Sequence, residues 1–265
     1  MDPVTAELAA EVVEIARHAA DAIMDVYAGE FAVTAKADAS PVTAADLRAH
    51  QIIQSGLEQL VPRLPILSEE AVPLDAATRL QWHRYWLVDP LDGTREFLSR
   101  NGEFTVNIAL VERHRPILGV VLLPASRLVY WGAQGLGAHR IESSGASLPI
   151  HAARSAASPP RVVGSRSHRG GELDRYMARL GPHEWLAAGS ALKFCLLAEG
   201  SADLYPRLST TSEWDTAAGQ AVAEAAGALV VDLQGQPLRY NTGPGLLNPS
   251  FVVYADRSRD WLAAL

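Results

Sequence analysis

The sequence predicts an α/β protein made in two parts, an α+β first half followed by an α/β second half. Three observations carry that prediction. Apolar residues recur every three or four positions near the N-terminus, which is the period of an amphipathic helix. Short β-rich runs then succeed one another between residues 85 and 131. Beyond HAARSAASPP at 151–160, a small, polar stretch ending in two prolines, helical and strand patterns alternate, which favours some parallel pairing.

Taken in order, Leu8, Val12, Ile15, Ala19, Ile23 and Tyr27 share one helical face, and Gly29 closes that helix. A short strand over 31–35 leads into a loop, KADASP at 36–41. Thr43-Ala-Ala-Asp46 opens a second helix running to about Leu60, ahead of Pro62. Thr43 and Asp46 match a capping box, which by itself accounts for Asp46. Residues 65–67 are apolar and end in Ser68-Glu69-Glu70, a strand end carrying acids, and 71–79 is an excursion. Tyr85 to Val88 reads as a buried strand whose regular pairing Pro90 forbids from continuing. Asp89 and Asp92 stand at that strand end, Gly93 lets the backbone turn, and residues 94–100 follow as a short helix. Strands are expected over 104–110, 116–123 and 128–131. GAQGLG at 132–137 lacks the GxGxxG spacing of a dinucleotide loop and reads as a hairpin.

The first half is therefore two helices and a mainly antiparallel sheet. The expected lobes are 1–152, carrying most of the clustered acids, and 160–265. In the second, strands are expected at 161–164, 203–206, 229–232 and 251–255, with helices at 171–180, 190–199 and 215–226. Asp215 sits where the N-cap of the last of these helices would be.

Composition excludes several classes. With 23 basic against 30 acidic residues the formal charge is −7, the wrong sign for general nucleic-acid binding. No apolar run approaches the roughly 20 residues that span a bilayer, and the acidic start lacks the basic region of a signal peptide. The one cysteine, Cys195, excludes an intrachain disulfide and fits a reducing, cytoplasmic compartment; its apolar helical run makes it a core thiol. Membrane-surface association and oligomeric state stay open.

Asp46, Glu69, Asp89, Asp92 and Asp215 all fall at ends of expected elements. Two carboxylates 4 Å apart repel by about 4 kcal/mol at an effective dielectric near 20, so their convergence implies a cation. All-oxygen ligation favours Mg²⁺ over zinc, and no HExxH or CxxC is present. Three expected helix starts also carry polar groups, at Gly93-Thr94, Gly189-Ser190 and Trp214-Asp215, and free N–H groups there suit a phosphate. A hydroxyl such as that of Thr94, paired with an acid, can orient water and take its proton. The reaction implied is metal-assisted hydrolysis of a phosphate monoester. No GxSxG elbow supports a serine nucleophile.

Glu69-Glu70, VDPLDGTREF at 88–97 and WDTAAG at 214–219 resemble the signatures of the inositol monophosphatase superfamily. NGEFTVNIALVE, LKFCLLAEG and LYPR resemble its 3'(2'),5'-bisphosphate nucleotidase branch, of the CysQ type. The resemblance runs from SPVTAAD at 40–46 to LNPSF at 247–251. It implies a layered αβαβα sandwich and Mg²⁺-dependent removal of the 3'-phosphate of adenosine 3',5'-bisphosphate, giving AMP and phosphate. Action on PAPS, lithium sensitivity and a place in sulfur assimilation are implied with it. Two or three Mg²⁺ ions would be held by Glu69, Asp89, the Leu91 carbonyl, Asp92 and Asp215. Thr94 and Asp46 would activate water, with Glu69 also in the catalytic group. Gly93, Thr94, His168, Ser190, Lys193, Arg207 and Asp215 match substrate-contacting positions, although Ser190 also suits a helix cap, Lys193 a solvated face and Arg207 a surface ion pair. Arg95 stands where the motif commonly has Lys, and Ala191 where the branch often has Ser. Two rival readings are an inositol monophosphatase-like or broad sugar-phosphate phosphatase and a non-catalytic phosphate or nucleotide sensor.

Overall fold

The computed structural model describes residues 3–29, 33–35, 41–72, 74–165 and 170–265. The N-terminal part of the 31–35 strand, the 36–40 loop and His168 lie outside the described residues. The long amphipathic segment forms α1 (Ala6–Ala28), started by the Thr5 hydroxyl, which accepts the Leu8 N–H, and ended at Gly29. After β1 (Val33–Ala35) and β2 (Pro41–Thr43), an antiparallel pair, comes α2 (Ala44–Leu57), three residues shorter than expected. Gly56 lets the two helices close up, since a Cβ there would stand 2.7 Å from Ile15.

The first half continues with β3 (Ile66–Ser68), α3 (Ala76–Arg79), β4 (Arg84–Asp92), α4 (Thr94–Leu98), β5 (Thr105–Glu112), β6 (Arg115–Leu123), β7 (Leu128–Ala133), β8 (Gly137–Ile141) and β9 (Ser147–Ile150). Strands β3 to β9 form one seven-stranded sheet in sequence order. The β3–β4 pair is parallel and the others are antiparallel. Side chains alternate across β4: Trp86 and Val88 join the core under α1 and α2, while Tyr85 and Leu87 join the core on the opposite face. Both faces are covered, which explains the unbroken apolar run in the sequence. The β5–β6 hairpin turns on Arg113 and His114, both at positive φ.

The second half holds β10 (Arg161–Gly164), α5 (Gly171–Leu180), β11 (Glu184–Ala187), α6 (Leu192–Ala198), β12 (Leu204–Arg207), α7 (Glu213–Ala225), β13 (Leu229–Asp232) and β14 (Phe251–Tyr254). Its sheet has the order β11-β10-β12-β14-β13, with β10 parallel to both of its neighbours and the other pairs antiparallel. Residues of α6 and α7 occupy the core between the two sheets, and α5 with the C-terminal Trp261 covers the far face of the second. The layers therefore run α, β, α, β, α. Contact between α7 and the first sheet is made at Gly119 and Gly132, where an added Cβ would stand 2.2 Å from the Ala218 carbonyl and 2.8 Å from Val222 Cα. Among the described residues no helix is long and apolar enough to cross a membrane.

Two expectations are corrected. Pro90 does break the regular pairing of β4 but does not end the strand: pairing with β5 slips in register after Asp89↔Asn107 and resumes at Asp92↔Thr105, so Pro90 and Leu91 lie in an irregularity inside it. Proline has no N–H to give a ladder, and a bulge accommodates it. Asp215 is not an N-cap: Ser212 is, and Asp215 is the third residue of α7. Four short strands, β2, β8, β9 and β11, were not separately expected.

Candidate active site

The slip in β4 builds one wall of the site. The Asp89 carboxylate accepts the Leu91 N–H at 3.1 Å, an Asx-type bond that folds the chain over Pro90. Gly93 then takes φ 89° and starts α4, a conformation that favours glycine. A Cβ at Gly93 would stand 2.1 Å from Ser190 Oγ, so glycine is required there on steric grounds as well. Parallel pairing of Ser68 with Val88 brings Glu69 up beside this strand end, and the Glu69 N–H continues the ladder to the Val88 carbonyl at 3.1 Å. From the second half of the chain, α7 presents Asp215. Its carboxylate accepts the Ser212 N–H at 2.8 Å in a reciprocal capping box, which engages one of its two oxygens.

Glu69, Asp89, Leu91, Asp92, Gly93, Thr94, Ser190, Lys193, Arg207 and Asp215 all line one cavity of about 330 Å³. Asp46, buried on the first turn of α2, is not among the lining residues. Glu96, Thr211, Thr216 and Tyr205 also line it and were not singled out from sequence. A period-two reading of LYPR could have found Tyr205, which lies two residues before Arg207 on the same side of β12.

The acids repel one another. Burial first, and then the charges of Glu69, Asp92 and Asp215 with a hydrogen bond to Glu69, hold Asp89 well above the usual carboxylate range. Burial raises Asp92 to about 6 against the opposing Lys193 charge and Asn107 hydrogen bond, with Glu69 and Glu96 adding to the rise. Asp215 is raised to about 7, by burial and then by Asp92. Asp92 and Asp215 keep part of their surface open to the cavity, where solvent screens this repulsion. The side chains share a cavity without forming a ready-built cage: among the described residues no group of three His, Cys, Asp or Glu is arranged to hold a metal unaided. The donor set is nevertheless all oxygen and mutually destabilised, and it fits a hard divalent cation that would draw the carboxylates inward.

The opposite wall is cationic. Burial lowers the Lys193 ammonium to about 8, opposed by Asp92 and assisted by Arg207. The ammonium donates to the Ser190 carbonyl at 2.6 Å and lies 5.6 Å from the Tyr205 ring centre. Arg207 donates to the Thr210 carbonyl at 3.2 Å, while its buried Nε has no hydrogen-bond partner among the described residues. Neither cation is the solvated surface group that sequence alone would allow. Ser190 does not cap α6; its hydroxyl instead lies 2.8 Å from the Asp92 carbonyl and 2.9 Å from that of Glu103.

Comparison with known proteins agrees with this architecture. The model of the inositol monophosphatase family matches residues 5–263. The 3'(2'),5'-bisphosphate nucleotidase CysQ of Escherichia coli (strain K12) is 52% identical over 245 residues, which cover 92% of this chain and 98% of that protein. The crystal structure of CysQ from Bacteroides thetaiotaomicron superposes with a TM-score of 0.83 at 41% identity, covering 95% of this chain and 98% of the other. An inositol monophosphatase from Zymomonas mobilis gives 0.76 at 26% identity over 98% of this chain and 99% of its own. With the layers, the strand-end acids and a match over nearly its whole length, this chain belongs to the inositol monophosphatase family.

Proposed function

We propose that this protein is a Mg²⁺-dependent phosphate monoester hydrolase that removes the 3'-phosphate of adenosine 3',5'-bisphosphate, yielding AMP and phosphate, with PAPS as a second candidate substrate. The carrying observation is the pair Lys193 and Arg207 facing the acid wall, with a buried Arg207 Nε lacking a partner among the described residues. A single phosphate needs no second cationic wall, whereas a bisphosphate does. The bisphosphate nucleotidases at 52% identity support the same substrate class.

Enzymes of this family are metal-dependent phosphatases, generally with Mg²⁺. In this reading Glu69, Asp89, Asp92, Asp215 and the Leu91 carbonyl hold two or three ions. Bound there, Mg²⁺ polarises the phosphoryl group and makes water more acidic. The Thr94 hydroxyl, on the cavity wall, would orient the attacking water and relay its proton by giving its own to a carboxylate base, Asp46, with Glu69 supporting the same water. Lys193 and Arg207 hold the 5'-phosphate. Gly93, Ser190 and Asp215 shape the wall around the reacting group, and His168 is assigned a further substrate contact. A reducing cytoplasm and sulfur assimilation are the proposed setting.

Phosphate release from adenosine 3',5'-bisphosphate, PAPS, inositol 1-phosphate and fructose 1,6-bisphosphate, with Mg²⁺ and with excess chelator, tests this. Preference for the nucleotide and loss in chelator are expected. Preference for inositol 1-phosphate or the sugar bisphosphate would overturn the substrate, and full turnover in chelator would overturn the metal.

A further inference from the structure

We infer that Glu103 is a positioning residue that sets the Gly189–Ser190 turn and, through it, aims Lys193 at the second anionic group of the substrate. The inference rests on the bisphosphate reading above and adds a residue that none of the acid or cation roles includes.

The observations form a continuous chain of contacts. Glu103 lies between α4 and β5, and its own N–H donates to the Asn101 side chain at 2.9 Å, which fixes its backbone. Its carboxylate accepts the Gly189 N–H at 2.9 Å, and its carbonyl lies 2.9 Å from the Ser190 hydroxyl. A Cβ at Gly189 would stand 2.7 Å from that carbonyl, so the two backbones meet without room for a side chain. Ser190 takes φ +47°, the left-handed region, which is unfavourable for any residue with a Cβ. That conformation directs the Ser190 carbonyl to the Lys193 ammonium, 2.6 Å away.

A strained turn persists only where its surroundings over-determine it. Here the strain is offset by the bond from the Gly189 N–H to a carboxylate, which is stronger than a neutral one, and by the single Ser190 O–H, shared between the Asp92 and Glu103 carbonyls. Without the Glu103 acceptor, the turn can relax, the Ser190 carbonyl swings, and Lys193 loses its fixed aim. An acid this near an anion-binding wall would otherwise oppose the substrate, and its use as a backbone acceptor gives it a reason to be there.

The test is steady-state phosphate release by wild type, Glu103→Ala and Glu103→Gln in Mg²⁺, on adenosine 3',5'-bisphosphate and on adenosine 3'-monophosphate. Glu103→Ala should raise KM for the bisphosphate about tenfold, with kcat within about twofold and the monophosphate KM within about threefold. Glu103→Gln keeps an acceptor oxygen and should return most of the loss. Equal losses on both substrates, or none on either, would overturn the inference. Amide exchange at Gly189, which needs no substrate, separates it from the functional reading. A wild type that does not prefer the bisphosphate refutes that reading, and with it Lys193's aim at a second phosphate. A Gly189 amide equally protected in wild type and Glu103→Ala refutes the positioning whatever the substrate.

Discussion

Replacing Gly93 by alanine should damage both stability and activity, because two separate penalties meet at one Cα. The first is conformational: φ is 89°, and a left-handed alanine costs roughly 1–2 kcal/mol. The second is steric: the new Cβ would stand 2.1 Å from Ser190 Oγ. The serine hydroxyl must leave, losing its place 2.8 Å from the Asp92 carbonyl and 2.9 Å from that of Glu103. A lost hydrogen bond of this kind costs about 0.5–1.5 kcal/mol. The sum is about 1.5–3.5 kcal/mol, which in a chain of this size lowers Tm by about 3–14 °C. Activity should fall further than stability suggests, because Asp92 and Thr94 flank Gly93 and small misplacements of reacting groups cost up to about a hundredfold. Thermal unfolding gives the first quantity and phosphate release in saturating Mg²⁺ the second. The double variant Gly93→Ala/Ser190→Ala separates the penalties: with Oγ removed only the conformational one remains, so the two substitutions should be non-additive by about 1 kcal/mol. Strict additivity, or a Gly93→Ala protein with wild-type Tm and turnover, would refute the reasoning.

Asp89→Asn and Asp92→Asn should each be nearly inactive yet folded, and in chelator at pH 8 each should melt above wild type. The sign follows from the raised carboxylates: a group whose folded value lies above its unfolded one near 4 favours the fold while protonated, and that stability is lost as pH rises through about 6 for Asp92 and about 7 for Asp215. Melting of the chelated wild type at pH 5.5 and 8 checks the direction, and an Asp89→Asn enzyme with normal turnover would end the metal assignment. Thr94→Ala should lower kcat about 10²–10⁴-fold with little change in KM; a loss under about threefold would leave Thr94 as a helix-start residue only. Lys193→Ala or Arg207→Ala should cost about ten- to a hundredfold in kcat/KM on the bisphosphate and much less on inositol 1-phosphate, and equal losses would assign both to the reacting phosphate or the fold.

Much of this site was readable because its residues sit where regular structure stops. The α1 period, the apolar run of β4 and the Asp-Gly turn at residues 92–93 are local signals, set by neighbours in the chain. What escaped was set by distant partners. Pro90 signals a break, but the break is a slip inside the strand because β5 continues alongside and recaptures Asp92. The left-handed turn at Arg113 and His114 carries no glycine or asparagine, and the β5–β6 register imposes it. Ser190 reads as a cap in sequence, yet its conformation answers to Glu103 and Asp92, 87 and 98 residues away in the chain. Asp46 carries a local capping pattern and is buried on the first turn of α2. β11 is a short edge strand, EWLA, with too few residues to show a period.

In the proposed reading Asp215 both completes a helix cap and binds metal, and its geometry allows the two together. A carboxylate has two oxygens, and the Ser212 N–H takes one at 2.8 Å. That bond fixes the rotamer and leaves the other oxygen for the cavity. The cap is itself held from below: the Asn248 amide donates to the Ser212 carbonyl at 2.7 Å and lies 2.9 Å from the Thr216 hydroxyl, and the Glu213 carboxylate accepts the Asn241 N–H at 2.9 Å. Asn241 in turn accepts from the buried Arg79, tying the start of α7 to the excursion before β4. A ligand oxygen facing like charges must be held against repulsion, and a helix start supplies both a fixed backbone and N–H groups that favour negative charge. The same geometry that makes Asp215 a good third residue of α7 would also aim it as the proposed ligand. For Asp215, a capping bond and a place on the cavity wall are therefore compatible.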